Sequence, residues 1–93
     1  MQNGNVNEFI DLMHYGDELI FMYDGKKYFL QGFKEDDICT LYLDCWEPPA
    51  DDYIYVVSGA PGEGYPVEKF LEAKIWNGKS FWQAEPDMKW VDA

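Results

Sequence analysis

The stretch "DELIFMYDGKKYFLQGF", residues 17–33, decides the fold. Its first seven residues alternate between two faces, as the side chains of a β-strand do. One face carries Leu19, Phe21 and Tyr23, and the other carries Ile20 and Met22. The pattern predicts a strand over 17–23.

The pair Asp24-Gly25 then predicts a tight hairpin turn, because both central residues of a type I′ turn need positive φ. "KKYFLQGF", residues 26–33, returns as the second strand. Lys26 and Lys27 stand at its start, and we interpret them as a device that keeps an exposed strand edge soluble, not as a site.

Two further strands complete the expected sheet. In "ICTLYLDCW", residues 38–46, Cys39, Leu41, Leu43 and Cys45 form the expected core side, and Ile38, Thr40, Tyr42, Asp44 and Trp46 form the other side. "YIYVVS", residues 53–58, is the fourth strand.

Helices are predicted on both sides of these strands. Residues 5–15 have a single apolar stripe, with Asn5 and Glu8 at the spacing of a capping box and Gly16 at the C-cap. Residues 66–75 form a second helix, and Ser80 with Gln83 opens a short third one. The tail "DMKWVD" is either a last short strand or a wrapping segment held by Trp90.

The sequence therefore predicts one α+β domain over residues 1–93. It contains an N-terminal helix, a four-stranded antiparallel β-meander, and a C-terminal helix plus a short helix packed on one sheet face.

The charge of the chain restricts its partners. Eighteen acids face seven lysines and no arginine, which gives a net charge of −11. Such a chain repels nucleic-acid backbones and anionic membranes, so neither is an expected direct ligand. A basic protein partner is favoured, and solubility alone is the alternative explanation of the charge.

The expected compartment is the cytoplasm of a bacterial host cell. The start "MQNGNVNEF" lacks the basic and apolar regions of a signal peptide, and no run is long and apolar enough to span a membrane. Two cysteines in a reducing compartment are expected to be free thiols.

No pattern indicates catalysis. Cys39 and Cys45 would lie about 20 Å apart along one strand, beyond the reach of a disulfide, and His14 is the one histidine. "NGKS" resembles the end of a phosphate-binding loop but lacks its upstream glycine. We therefore expect a protein that is not an enzyme, with no catalytic residue, no cofactor and no metal site.

The candidate binding residues lie between positions 35 and 52, where acids concentrate, together with aromatic residues that could anchor a partner. They are Glu35, Asp36, Asp37, Asp44, Trp46, Glu47, Asp51, Asp52 and Tyr53.

Two segments carry a family resemblance. "GDELIFMYDGKKYFL" and "KFLEAKIWNGKSFWQAEPDMKW", together 37 of the 93 residues, resemble signatures of small acidic uncharacterised α+β proteins of Gram-positive bacteria and their mobile elements. The matching positions are Gly16, Glu18, Tyr23, Gly25, Lys26, Tyr28, Ile75, Gly78, Lys79, Ser80 and Phe81, whereas Met22 departs from the pattern. The resemblance implies a common fold and carries over no catalytic residue.

In size and charge the chain is also similar to anti-CRISPR proteins and other DNA mimics. The expected function is therefore a non-enzymatic protein-binding module, an acidic inhibitor that blocks a basic surface of a nuclease or defence protein. The alternatives are an immunity-type or accessory protein that neutralises a toxin, and a small-ligand-binding domain. A homodimer through a sheet face bearing Tyr42 and Trp46 is also open.

Overall fold

The computed structural model describes residues 1–91, and its central feature is a five-stranded antiparallel sheet in the order β4-β3-β2-β1-β5. The strands are β1 Leu19–Tyr23, β2 Lys26–Glu35, β3 Ile38–Glu47, β4 Tyr55–Ser58 and β5 Lys89–Val91. The helices are α1 Val6–His14, α2 Val67–Glu72 and α3 Phe81–Ala84, and a 3₁₀ turn follows at Glu85–Asp87. The α+β class and the antiparallel sheet are confirmed.

The first hairpin forms as its sequence predicts. Asp24 and Gly25 have φ values of 51° and 74°, and Tyr23 pairs with Lys26 on either side of them. A second turn of the same kind joins β2 to β3, where Asp36 and Asp37 have φ values of 50° and 66°. Aspartate tolerates this left-handed region better than most residues, which lets two acids make a turn without glycine.

The sheet has five strands, so the prediction of four was wrong. The tail supplies the fifth: Ile20 pairs with Val91 and Met22 with Lys89, which extends the sheet beyond β1. The ring of Trp90 packs edge-on against Phe9 at 5.3 Å and lies directly against Gly4, where a side chain would collide with it. Both alternatives for the tail therefore apply to the same residues. The Trp90 backbone pairs with β1 as a strand, and its ring packs on Phe9 as an anchor.

The first helix has the predicted Asn5 cap and the predicted glycine after its end, but the return bond from the Glu8 side chain that a capping box requires is not seen at this cap. The side chain of Asn5 accepts hydrogen bonds from the backbone N–H groups of Asn7 and Glu8, at 2.8 and 3.3 Å. Gly16 follows the helix with a φ of 71°, the left-handed conformation that closes many helices.

The second helix is shorter than the predicted 66–75, because Ala73 is already extended. Asn77 and Gly78, with φ values of 54° and 81°, then make a tight turn closed by two hydrogen bonds between Trp76 and Lys79. This turn drives the Trp76 ring into the core, where it is 1% exposed. The apolar residues up to Ile75 have helical spacing, but the helix ends at Glu72. The Asn77-Gly78 pair favours a tight turn just after them, and this turn is what the chain forms.

The third helix begins at the predicted cap. Ser80 and Gln83 form the reciprocal capping box, with the Ser80 N–H donating to the Gln83 side chain at 2.9 Å. None of the helices within residues 1–91 combines the length and apolar composition that crossing a membrane requires.

All three helices contribute to one core against one face of the sheet. The strands supply alternate residues to it, as the predicted alternation in β3 requires: Leu41, Leu43 and Cys45 are buried. The helices and the segments beside them supply Phe9, Met13, Val67, Phe70, Leu71, Trp76, Phe81, Ala84 and Met88. The opposite face, called the open face below, carries the other half of each strand's side chains.

The prediction for the two cysteines is confirmed, and the prediction for the lysine pair is not. Cys39 and Cys45 are buried free thiols, as predicted. The interpretation of Lys26 and Lys27 as protection for a sheet edge is wrong, because β2 lies in the middle of the sheet. Lys27 instead lies near Glu47, with 3.9 Å between Nζ and Oε1.

Candidate protein-binding surface

The open face is a mostly apolar surface, and aromatic rings form its centre. Its strands carry Ile20, Met22, Lys27, Phe29, Gln31, Phe33, Glu35, Ile38, Thr40, Tyr42, Asp44, Trp46, Val56, Ser58, Lys89 and Val91. The two lysines both lie beside Met22, one on β2 and the other on β5. Phe33, Trp46 and Val56 are 54%, 42% and 47% exposed. Large apolar side chains exposed close together on one face are a common feature of protein interaction sites.

Contacts between rings on this face form two groups, the pair Phe29–Trp46 and the chain Phe33–Tyr42–Tyr53. Trp46 stacks on Phe29 with centroids 4.4 Å apart and an interplanar angle of 19°, and this contact buries Phe29. Tyr42 meets Phe33 at 5.6 Å and Tyr53 at 5.1 Å. We call these five residues the aromatic strip.

The first acidic hollow lies where the β2–β3 turn meets the strip. Its volume is 240 Å³, and its lining combines the Glu35 and Asp36 carboxylates with the rings of Phe33 and Tyr42. The turn geometry explains the position, because positive φ at Asp36 and Asp37 makes the reversal tight and places both acids just beyond the strands. Asp37 does not line this hollow; its carbonyl accepts a hydrogen bond from the Gly62 N–H at 2.9 Å.

The second acidic hollow lies towards the other end of β3. It has a volume of 170 Å³ and is lined by Asp44, Asp51, Asp52, Tyr53 and Ala50. The Asp52 carboxylate accepts from the Tyr53 N–H at 2.7 Å, and Asp44 accepts from the Cys45 N–H at 2.9 Å. These short local bonds hold two of the three carboxylates beside an aromatic ring.

The structure places six of the nine predicted residues in the two hollows, and Asp37, Trp46 and Glu47 line neither. Glu35 and Asp36 share the first hollow; Asp44, Asp51, Asp52 and Tyr53 share the second. Glu35 pairs with Ile38, six residues before Asp44, so the acids Glu35 and Asp44 are about 20 Å apart along β3 at the usual rise. Tyr42 and Tyr53 connect the two hollows, because these touching rings line different hollows.

Trp46 and Glu47 are the last two residues of β3 and lie at the edge of the open face. Trp46 covers Phe29, and the Glu47 side chain, 69% exposed, comes within 3.9 Å of Lys27. An exposed pair at this distance contributes little to stability. Both side chains therefore remain accessible at the rim of the surface.

The sequence-based binding set lacked several residues of this surface, among them Phe29, Phe33, Tyr42 and Val56. The alternation of side chains along each strand was the sequence signal that could have identified them. Because Tyr28 and Leu30 occupy the core side of β2, Phe29 and Phe33 must lie on the face of Tyr42. Acidity alone directed attention to residues 35–52 and away from the preceding strand.

A further hollow of 230 Å³ lies on the helical side, between the end of α1 and the segment 59–69. His14, Glu63, Glu68 and Lys69 surround it with charges of both signs. It shares no residue with either acidic hollow. Within the described chain, no three His, Cys, Asp or Glu side chains converge as metal ligands.

The shifted ionisable groups lie outside the candidate surface. Burial, and then the charges of Cys45 and Asp24, raises the pKa of Tyr28 on the core side of β2. Burial, and then the charges of Cys39 and Asp17, raises the pKa of Tyr65 beside α2. Neither group belongs to the acidic hollows.

Comparisons with protein-family models, with curated proteins and with solved structures gave no match.

Proposed function

We propose that the protein is a non-enzymatic binding module whose open face covers a basic surface of a nuclease or another nucleic-acid-binding defence protein. The observation that carries the proposal is the arrangement of two acidic hollows joined by the aromatic strip. In this role it acts as an acidic inhibitor of the anti-CRISPR-like or nucleic-acid-mimicking kind.

The layout of the open face resembles that of a protein–protein interface. Such interfaces have a centre rich in Tyr, Trp and Phe with a polar rim, and their aromatic residues often supply most of the binding energy. Here the strip occupies the centre, and carboxylates stand at both ends of β3. A basic side chain of a partner could pair with a carboxylate and lie against a ring in either hollow.

Charge gives this surface its preference of partner. Between Lys34 and Lys69 the sequence has no lysine or arginine, whereas seven acids fall within residues 35–52. The negative charge of this region attracts a basic surface over a long range and so speeds encounter with it. The same charge repels nucleic acid and acidic proteins. Basic surfaces that face several phosphates are characteristic of nucleases and related proteins.

The spacing between Glu35 and Asp44 along β3 favours an extended basic surface over a single basic pocket. At about 20 Å it is longer than one side chain, so a partner must present cationic groups at two places. A nucleic-acid channel has such a row of cationic groups, because phosphates recur along each strand of bound DNA or RNA. Rings between the carboxylates would contact the apolar or aromatic residues that line such channels.

The direct test is a titration of the purified protein against purified basic nucleases, including an RNA-guided effector, followed by calorimetry and by inhibition of cleavage. The partner-binding variant is Phe33→Lys, and its matched control is Trp82→Lys. Both side chains are similarly exposed, at 54% and 51%, but Trp82 belongs to α3 on the helical side.

We expect binding to a basic partner that weakens as salt rises from about 0.05 M to about 0.5 M, because screening removes the attraction between opposite charges. Phe33→Lys should abolish that binding, and Trp82→Lys should retain it. Salt-insensitive binding, or the absence of binding to every basic nuclease tested, would contradict the proposal.

A further inference from the structure

The two edges of the sheet differ. Beside β5 the N-terminal segment supplies a partner, since the Gln2 N–H donates to the Met88 carbonyl at 2.7 Å and the Trp90 N–H donates to the Gln2 carbonyl at 2.9 Å. At the other end, β4 is the last strand of the sheet. Within residues 1–91 no strand lies beyond it.

The register of β4 shows which backbone groups face outward. The Gly59 N–H donates to the Cys39 carbonyl at 2.9 Å, in the same register that pairs Leu41 with Val57. Because hydrogen-bonded pairs alternate in an antiparallel ladder, the N–H and C=O groups of Val56 and Ser58 point away from β3. The side chains of Thr40 and Ser58 approach to 2.8 Å, as expected for a pair without backbone bonds.

The composition of this edge is exceptional for the chain. Residues 53–62 contain no charged side chain, although the protein carries −11 overall. β4 itself has neither lysine nor proline, the residues that commonly prevent edge strands from pairing. Val56, at its centre, is 47% exposed.

We propose that β4 pairs with β4 of a second copy of this chain, antiparallel and about a two-fold axis at Val56. Val56 then faces its own equivalent and Ile54 faces Ser58, and the outward N–H and C=O groups of Val56 in each copy bond to the other. The Ile54 N–H takes no part in this ladder, because it donates to the Leu43 carbonyl at 2.8 Å. Two five-stranded sheets become one continuous sheet. Since the axis is perpendicular to the sheet, both open faces lie on the same side, side by side.

A second copy fits this edge better than an oppositely charged strand does. The pairing is self-complementary, as a two-fold interface requires, and the uncharged edge offers a basic segment no carboxylate within β4. Continuing the register places Asp52 opposite Ala60, so no acid faces another acid. The remaining repulsion between copies is long-range and is screened by salt.

The proposed dimer does not depend on the proposed function, and the two respond to salt in opposite ways. Dimerisation of two chains of the same sign strengthens as salt rises, whereas binding to a basic partner weakens. Each can fail without the other.

The test is sedimentation equilibrium of the purified full chain over a range of concentrations, at about 0.05 M and about 0.5 M salt. Val56→Pro removes the outward N–H at an edge position that tolerates proline, and Val56→Lys places two cations opposite each other at the axis. Phe33→Lys is the control, because it changes the centre of the open face and leaves the β4 edge intact. Circular dichroism confirms the folding of each variant.

We expect a concentration-dependent dimer whose dissociation constant falls severalfold at the higher salt, with slowed exchange of the Val56 and Ser58 amides. Phe33→Lys should keep the dimer, and both Val56 variants should weaken it at least about tenfold. A protein that is monomeric at every concentration and salt would overturn the inference. So would a dimer that Phe33→Lys abolishes and a folded Val56 variant retains.

Discussion

The rings of Tyr42 and Tyr53 are in contact, with centroids 5.1 Å apart, and each ring lines a different acidic hollow of the open face. Tyr42 comes from the middle of β3, and Tyr53 comes from the loop before β4. Their contact holds the loop acids Asp51 and Asp52 beside the sheet. It makes one surface out of residues that the chain separates.

Removing one ring of this pair should weaken partner binding without unfolding the protein. Tyr53 is 45% exposed, so we expect Tyr53→Ala to lower the free energy of unfolding by about 1 kcal/mol or less. Its affinity for the partner should fall about tenfold or more, as at other aromatic interface centres. Calorimetry measures the affinity, and urea unfolding measures the stability.

The control for that variant is Trp82→Ala, which removes a comparably exposed ring from the helical side. Equal losses of affinity in the two variants would show that the open face has no special part in binding.

Neutralising the second hollow should slow association more than it speeds dissociation. The double variant Asp51→Asn/Asp52→Asn keeps the side-chain oxygen that accepts from the Tyr53 N–H but removes two negative charges. Exposed charges act mainly on the association rate, so that rate should fall severalfold, with a weaker salt dependence. Stopped-flow or surface plasmon resonance measures it.

Glu68→Gln/Glu72→Gln changes the net charge by the same amount on α2. If it slows association as much as the loop variant does, total charge and not the hollow determines the rate.

Alkaline pH should destabilise the protein partly through Tyr28. Burial and the charges of Cys45 and Asp24 raise its pKa above the ordinary tyrosine value of 10.0 in the folded state. The neutral phenol is therefore favoured by folding, and its contribution to stability is complete below the unfolded pKa and is lost as pH rises through the folded one.

Tyr28→Phe has no phenol to ionise, so it should lose less stability than the unmodified protein between about pH 9 and about pH 11. Urea unfolding at several pH values makes the comparison. Parallel stability curves would show that Tyr28 has no part in the alkaline loss.

Gly32 is required for packing and not for a special backbone conformation. Its N–H donates to the Gly16 carbonyl at 3.1 Å, and a Cβ here would collide with the Tyr65 ring and lie 2.7 Å from the Gly16 Cα. Gly32→Ala should therefore cost about 1–3 kcal/mol of unfolding free energy. Denaturant unfolding at neutral pH measures the cost, and an unchanged midpoint would contradict the packing seen at this glycine.

Local chemistry made much of the fold predictable from sequence. Asp24-Gly25 specifies its turn, the Ser80 and Gln83 side chains specify a helix start, and the alternation of residues 38–46 specifies the core side of β3. Each signal lies within a few residues and depends on φ preference, capping or period.

The rest depended on contacts between distant parts of the chain. β5 is three residues long and becomes a strand because β1 has a free edge and Trp90 packs on Phe9. The candidate surface was half predictable: its acids were visible as a cluster, but their division between two hollows follows from the Asp36-Asp37 turn and from the Tyr42–Tyr53 contact.

Site-specific crosslinking is the measurement that tests the open face most directly. A photoreactive phenylalanine analogue replaces Phe33 in one sample and Trp82 in another, two exposed aromatic positions on opposite sides of the sheet. Each sample is irradiated with the purified basic partner. The open-face assignment predicts a crosslinked complex from position 33 that high salt suppresses, and none from position 82. Crosslinking from position 82 alone, or equally from both, would contradict it.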